Sequence, residues 1–359
     1  MGEGFLEEEG PQEFSVGPDR AGRREVWDVR TQVMSKPLRA VLRILSATAG
    51  SLVVLSGLAA ALVTQPTFRE LPFRGRDRAE ALRLRRHVEF LTIAAAPRDS
   101  HHPESLDRAA TYIYDEFSQT RARVREQAFT VEGHVWRNVI AAYGPDRGPV
   151  LVVGAHYDAF GGFGANPGAD DNASGTAGLL ELARLLQDIP LEQRVELVAF
   201  TNEEPPFFAS PWMGSAVHAR SLRETDVEAM LCLEMIGYFS EEQDWPHPFF
   251  RWLYPDRGDF IGVVGRWSDA AMTRRVERAM RGGGRVPVLS FNGPRALDID
   301  ASDQRNYWDA GNPAVMITDT AFLRNPHYHT PEDTADTLDY ERMAGVVDGV
   351  LNAVLHLAD

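Results

Sequence analysis

Residues 151–186 read LVVGAHYDAFGGFGANPGADDNASGTAGLLELARLL. The apolar run up to Gly154 has the character of a buried strand. Leu179, Leu182, Ala183 and Leu186 share one face of an amphipathic helix expected over 177–187. The loop between them carries His156, Asp158, Asp170 and Asp171 among glycines. Small residues let a backbone approach a ligand closely, and imidazoles and carboxylates are donors to a cation. Loops that leave the carboxyl ends of parallel strands are where α/β proteins bind and react. The stretch predicts a metal site on an α/β fold.

The same alternation of strand and helix extends in both directions. Residues 123–133 and 135–144 alternate as strands about a turn at Gly133, and PVLVVGAH, residues 149–156, is a continuous apolar strand. RVELVAFTNEE, VEAMLCLEMIGYF, FIGVVG and AVMITDT read as further strands. The charged run from Arg74 to Arg86 leads into a helix with Leu82, Leu84, Val88 and Leu91 as its apolar positions, and HHPESLDRAATYIYDEF, MGSAVHARSL, SDAAMTRRVERAM and 340–356 read as further helices. This order implies a mixed, largely parallel central sheet covered by helices on both faces, a three-layer α/β sandwich.

Composition narrows the function. A formal charge of -15 with no offsetting basic stripe excludes a nucleic-acid binder. Cys232 is the single cysteine, so neither a disulfide framework nor a cysteine-based zinc motif is present, and it reads as core filler. His101 and His102 read as surface residues.

The amino-terminal part differs from the rest. Residues 1–38 are polar and unpatterned, as in a disordered tail. No charged residue lies between Ile44 and Phe68, and ILSATAGSLVVLSGLAAALV is long enough to cross a bilayer. Arginines flank the segment on both sides and give no orientation by counting. Read from Met34, the chain has the basic start and apolar middle of a secretory signal or signal anchor. This predicts translation from Met34 and a large domain outside the cytoplasm; peptides from residues 1–33 in the native protein would refute the start.

Five clusters follow predicted strands or sit in late loops: His156 with Asp158, Asp170 with Asp171, Glu203 with Glu204, Glu234, and His327 with His329. Strand ends gather at one edge of a sheet, so residues distant in sequence converge there. Nitrogen and carboxylate donors without sulfur suit catalytic zinc, which keeps a position open. Two histidines and three carboxylates exceed the needs of one ion and suit a pair about 3.5–4 Å apart with a bridging carboxylate. Asp158 is spaced to accept the second imidazole N–H of His156. One of Glu203 and Glu204 can bind metal while the other stays free to take a proton.

The segments AHYDA, PGADDNASG, FTNEEPP, LEMIG and NPHYHTPEDT occur in the order found in the di-zinc aminopeptidases related to bacterial leucyl aminopeptidases. Residues 80–359 resemble that zinc exopeptidase family, whose wider group includes glutamate carboxypeptidase, glutaminyl cyclase and the transferrin receptor. The resemblance implies two zinc ions bridged by Asp171, one also held by His156 and Glu234, the other by Glu204 and His329. It implies Glu203 as general base, Asp158 as orienting acid, Tyr328 as a donor to the oxyanion, and a cis peptide after Asp171. His327 is expected to be structural. The expected organisation is a tail (1–38), a transmembrane or signal-anchor segment (39–66), a linker (67–79) and a zinc peptidase domain (80–359), with peptides as substrates.

Two departures from the family pattern bear on specificity. Glu234 stands where many aminopeptidases of the family have Asp, and Glu there is associated with carboxypeptidase-type relatives. Gln304 in SDQRNYW stands where relatives often place histidine, with consequences expected in the substrate pocket. The expected activity is aminopeptidase. The alternatives are a carboxypeptidase-type enzyme, a glutaminyl cyclase-like enzyme with one zinc per chain, and a non-catalytic receptor-like domain.

Overall fold

The expected apolar strand is β3 (Val150–His156), and every residue in it is buried. A computed structural model describes residues 36–162 and 166–359 of the chain. The described residues form one eight-stranded sheet in the order β1-β2-β4-β3-β5-β8-β6-β7. Its strands are β1 (Arg123–Val131), β2 (His134–Tyr143), β3, β4 (Arg194–Phe200), β5 (Val227–Glu234), β6 (Ile261–Arg266), β7 (Val288–Gly293) and β8 (Ala314–Thr318). β4, β3, β5 and β8 run parallel, whereas β2 is antiparallel to both β1 and β4, and β6 is antiparallel to β8. The sheet is mixed with a parallel centre, as the sequence predicts.

Side-chain alternation divides the interior into two cores. Leu151, Val153 and Ala155 of β3 join Leu197, Ala199, Leu231 and Leu233 in the larger core. The helices on that side include α2 (Ala81–Glu89), α3 (Pro103–Ser118), α4 (Gly175–Leu186), α6 (Ala270–Gly283) and α8 (Tyr340–Leu357). Val150 and Val152 point the other way, to Val198, Met230, Cys232 and Met316. That side carries α5 (Gly214–Ser221) and α7 (Gln304–Asp309). Cys232 is fully buried, in keeping with core filler.

Two elements, β7 and α7, have no counterpart in the sequence reading. β7 is an edge strand of six residues enclosed by Pro287 and Pro294, and polar Ser290 and Asn292 take buried positions in it, so VLSFNG lacks the apolar run that marks the other strands. α4 begins two residues before the expected 177 because Gly175 fits under the Asn172 side chain. A Cβ at Gly175 would lie 2.4 Å from Asn172 Oδ1 and 2.6 Å from Leu233 O.

The chain divides into two units, residues 1–54 and 55–359, and the boundary falls inside α1 (Lys36–Thr64). No residue of this 29-residue helix is buried, and it is long and apolar enough to cross a membrane. Of the expected tail, residues 1–35 lie outside the described residues, and 36–38 open α1. The expected linker has no helix or strand but is pinned by contacts. Arg74 N donates to Asn352 Oδ1 at 2.9 Å and Ala79 N to Asp348 Oδ1 at 2.8 Å.

Candidate metal centre

Four neighbouring parallel strands end together. His156 is the last residue of β3 and pairs in register with Phe200, after which the chain turns to Glu203 and Glu204. Glu234 is the last residue of β5, paired with Thr318 at the end of β8. The loop after β8 brings His329 back to the same edge, and Asp171 comes from the kinked segment Ala169–Ser174. The peptide between Asp171 and Asn172 is cis, as the family resemblance implies. Asn172 ties this kink to β5: its amide donates to Leu233 O at 2.8 Å, and its Oδ1 accepts from Met235 N at 3.1 Å. Asp333 holds the other side, accepting from Asp170 N at 2.9 Å and Asp171 N at 3.1 Å. Asn202, Met235 and His329 all lie in the left-handed backbone region, at φ of 60°, 50° and 58°. Non-glycine residues seldom adopt it, and here each adjoins or is a site residue.

Asp171 faces two histidines with its two oxygens. Oδ1 is 3.4 Å from His156 Nε2, and Oδ2 is 3.0 Å from His329 Nε2. Glu234 Oε2 completes the first side at 3.3 Å from His156 Nε2, and Glu204 Oε1 the second at 3.4 Å from His329 Nε2. Two groups with donor atoms within 4.8 Å of one another result, His156–Asp171–Glu234 and Asp171–Glu204–His329. Glu203 belongs to neither; its Oε2 lies 3.9 Å from His156 Nε2.

The donors fit a pair of small divalent cations. A tetrahedral ion bonded at about 2.0–2.1 Å holds its donors about 3.3–3.4 Å apart, close to the separations seen. Among the described residues, His156 Nε2 and Glu204 Oε1 are buried without a hydrogen-bond partner, which is costly unless something else engages them. Electrostatics agree. Burial disfavours the charged form of His156, yet Glu234 and Glu203 carry its pKa well above the usual value. His329 also loses to burial but is lifted to about 10 by Asp171 and Glu204. Burial raises Asp171, but the two imidazoles hold it well below the carboxylate range. Burial, with Asp171 nearby, raises Glu204 to about 7. Five interdependent groups thus crowd one dry volume.

Asp158 departs from its expected contact. His156 Nδ1 lies 3.2 Å from the Asp158 carbonyl oxygen and 3.5 Å from its carboxylate Oδ1. The carboxylate accepts instead from Glu203 N at 3.2 Å and Glu204 N at 3.0 Å. It therefore fixes the turn that presents both glutamates, as well as lying against the histidine.

Several positioning residues carry no signal in the sequence. Arg98 is fully buried and donates to four carbonyls, those of Tyr157, Leu91, Pro167 and Gly168, each at 2.8 Å. Burial lowers its pKa to about 10, against the opposing pull of Asp333 and Asp158. The His329 ring is stacked between Phe160 and Tyr328, at centroid distances of 4.1 and 3.8 Å. Ser302 Oγ donates to Glu234 Oε2 at 2.5 Å. Tyr328 and Glu234 stand at a cavity of about 290 Å³. Burial raises the Tyr328 phenol far above its usual pKa, so its hydroxyl keeps its proton. Gln304 donates to the carbonyl of Ile299, a residue of the cavity wall, at 2.8 Å. His327 packs edge-on against Tyr238 and belongs to neither donor group, and His102 Nδ1 pairs with Asp99 Oδ1 at 2.9 Å away from the site.

Comparison with known proteins adds a family. Residues 138–354 match the family described as peptidase family M28. The uncharacterized protein YfbL of Escherichia coli is 48% identical over 296 residues, which cover 80% of this chain and 91% of that protein. Leucine aminopeptidase 1 of Arthroderma otae is 28% identical over 236 residues, covering 62% of this chain and 58% of the relative. Among solved structures, BSAP, a zinc aminopeptidase from Bacillus subtilis, superposes with a TM-score of 0.60. It is 17% identical, with 80% of this chain and 95% of that one covered, a likeness of fold.

Proposed function

The chain belongs to peptidase family M28, and we propose that it is a zinc-dependent aminopeptidase, hydrolysing the amide bond after the first residue of a peptide. The observation that carries this reading is Asp171, whose two oxygens each face a separate histidine and carboxylate. His156, Asp171 and Glu234 would hold one zinc ion, and Asp171, Glu204 and His329 the other. Bound zinc supplies Lewis acidity to the scissile carbonyl and lowers the pKa of water.

The protein's own groups do the rest. Glu203 is buried, lies outside both donor groups and has Oε1 free of hydrogen bonds among the described residues. Its carboxylate takes a proton from the attacking water as the carbon–oxygen bond forms. It returns that proton to the departing amine as the carbon–nitrogen bond breaks. Tyr328 donates its hydroxyl to the oxyanion, and Asp158 keeps His156 and the two glutamate backbones in place.

Charge supports attack at the amino end. Among the described residues, none of those lining the adjoining cavity is Lys or Arg, as capture of a terminal carboxylate would require. On this reading Glu234 replaces Asp as a zinc donor without reversing polarity. α1 supports attachment to a membrane, with the peptidase domain outside the cytoplasm; a reporter fused after Arg69 and active only inside the cell would refute that side.

The test combines metal analysis with paired substrates. Two zinc ions per chain and cleavage of leucine 4-nitroanilide, with its N-acetyl form refused, are expected. One zinc with cyclisation of N-terminal glutamine, or cleavage only of amino-blocked peptides, would overturn the reading.

A further inference from the structure

The carboxyl end of α1 is fastened to the peptidase domain rather than loosely tethered to it. Ser290 Oγ, on β7, donates to Thr64 O at 2.7 Å and lies 2.9 Å from Glu277 Oε2 on α6. Gln65 is buried, and its Oε1 accepts from Arg274 Nη2 at 2.5 Å. Thr67 Oγ1 donates to Glu277 Oε1 at 3.1 Å, and Leu71 N donates to Arg278 O at 3.0 Å. The fit is close: a Cβ at Gly282 would lie 1.5 Å from Leu71 O. A span joined by a loose linker leaves the domain free to turn, whereas a fastened one decides which side of it meets the bilayer.

That side is the free edge of β7. The Tyr254 hydroxyl donates to the carbonyl of Ser290, the residue that holds Thr64, at 2.8 Å. Phe250 and Tyr254 pack edge-on against Phe291 at 5.7 and 6.5 Å. The single helical turn Pro248–Trp252 is thereby seated beside the end of α1. Its outward rings, Phe249 and Trp252, are 48% and 86% exposed with centroids 6.4 Å apart. Phe68, just past the fastened residues, is 95% exposed. Phe250 and Tyr254 line the cavity at Glu234, but Phe249, Trp252 and Phe68 do not. A lone exposed aromatic is ordinary; three around the foot of an apolar helix need a partner.

Length sets the level of the patch. From Ile44 to Thr64 the helix rises about 30 Å at about 1.5 Å per residue, equal to a hydrocarbon core of about 30 Å. Thr64 therefore falls at the boundary with the headgroups, the level at which aromatic rings concentrate. Arg69 and Arg251 are exposed there, Arg251 being 3.7 Å from Asp244, and long basic side chains reach from that level to water. Three such rings offer roughly 450–750 Å², less than the roughly 800 Å² that each partner gives to a stable protein interface. A bilayer needs no matching surface.

We propose that the β7 edge faces the membrane and that Phe68, Phe249 and Trp252 insert among the lipid headgroups, a second contact beside α1 that fixes the peptidase domain on the bilayer surface. The inference rests on the reading of α1 as a membrane span.

The test uses the full-length protein in vesicles of phosphatidylcholine and phosphatidylglycerol, with a nitrobenzoxadiazole label on Phe249→Cys, Trp252→Cys or Arg147→Cys. Cys232 is buried, so the label goes to the introduced thiol. Arg147 is exposed in the turn between β2 and β3, six strand spacings from β7, or about 29 Å at about 4.8 Å each. The labels at 249 and 252 should emit to the blue and be quenched by lipid carrying a nitroxide at the headgroup, and the label at 147 should do neither. Two positions guard against one variant failing to fold. Unshifted, unquenched emission at both would overturn the proposal. A blue shift without quenching would also overturn it, by showing a protein partner such as a second copy. Alkaline carbonate tests the span separately. If it releases the unmodified protein, the span reading falls, and quenching of the released, labelled protein by the same vesicles still decides the aromatic contact.

Discussion

Arg98 holds the chain on both sides of Asp158 without touching its carboxylate. The Arg98 Nε donates to the carbonyl of Tyr157, and the Arg98 carbonyl accepts from the N–H of Ala159, both at 2.8 Å. The same guanidinium reaches Pro167 and Gly168, just ahead of Asp171. One residue outside the family match thus fixes the two loops that supply Asp158 and Asp171.

Arg98→Met should therefore be costly. It orphans four buried carbonyls and removes a buried positive charge beside Asp333, Asp158 and Asp171. Breaking such a buried charged contact from one side costs about 3–5 kcal/mol. A urea-denaturation midpoint for the metal-free protein measures it. Arg98→Lys keeps the charge but has three donors on one atom and cannot span three segments, so an intermediate loss is expected. Equal stability of all three proteins would show that the loops are held by other contacts.

Glu203→Gln should separate chemistry from metal binding. Glutamine keeps the shape but cannot accept the proton from water. Turnover should fall by at least about 10²–10⁴-fold, the range for losing a general base, with KM little changed. Zinc content should stay near that of the native protein, because Glu203 lies outside both donor groups. Glu204→Gln should instead release one ion. The reverse pattern would mean that the two glutamates exchange roles.

Stability should fall in mild acid through His87. Its Nδ1 lies 2.7 Å from the Tyr112 hydroxyl, and burial, with Arg83 and Arg86 adding repulsion, lowers its pKa to about 4. The unfolded chain binds a proton near the ordinary value of 6.5 while the folded chain does not. The contribution is thus fully present above about pH 6.5, declines as pH falls towards 4, and is then flat. At about 1.4 kcal/mol per pKa unit, the full loss is roughly 3 kcal/mol. The difference in unfolding free energy between the native protein and His87→Gln, followed from pH 8 to 4, should trace that slope. A pH-independent difference would contradict it.

The central fold was legible because its strands are short apolar runs that end in polar clusters. Where hydrophobic period and strand end coincide, as at His156 and Glu234, the residue's place at the sheet edge follows from the sequence. Arg98 was not legible: in AAAPRDSHH it reads as an ordinary surface charge, and only the packing of distant loops buries it. Phe160, Ser302 and Asp333 escaped notice for the same reason, since each acts on a site residue from a distant segment. β7 and the cavity share another cause. Polar Ser290 and Asn292 interrupt the apolar run of β7, and the cavity walls come from separate segments that only the folded sheet brings together.

Ser302 offers a test of whether the two metal positions are separable. Its hydroxyl donates to Glu234 Oε2, and Cys232 Sγ lies 3.4 Å from the same Ser302 Oγ. The bond fixes the Glu234 carboxylate at the point where it faces His156 Nε2. Glu234 belongs to the His156 group alone, whereas Glu204 and His329 make the second group with Asp171. Ser302→Ala should therefore weaken one zinc ion by about 10–100-fold, the usual effect of losing a partner to a ligand, and leave the other in place. Competition with a fluorescent chelator should resolve one shifted and one unshifted step. Ser302→Thr retains the hydroxyl and should restore the first step. Unchanged binding in Ser302→Ala would reduce Ser302 to packing, and equal weakening of both ions would show that Asp171 couples the two positions.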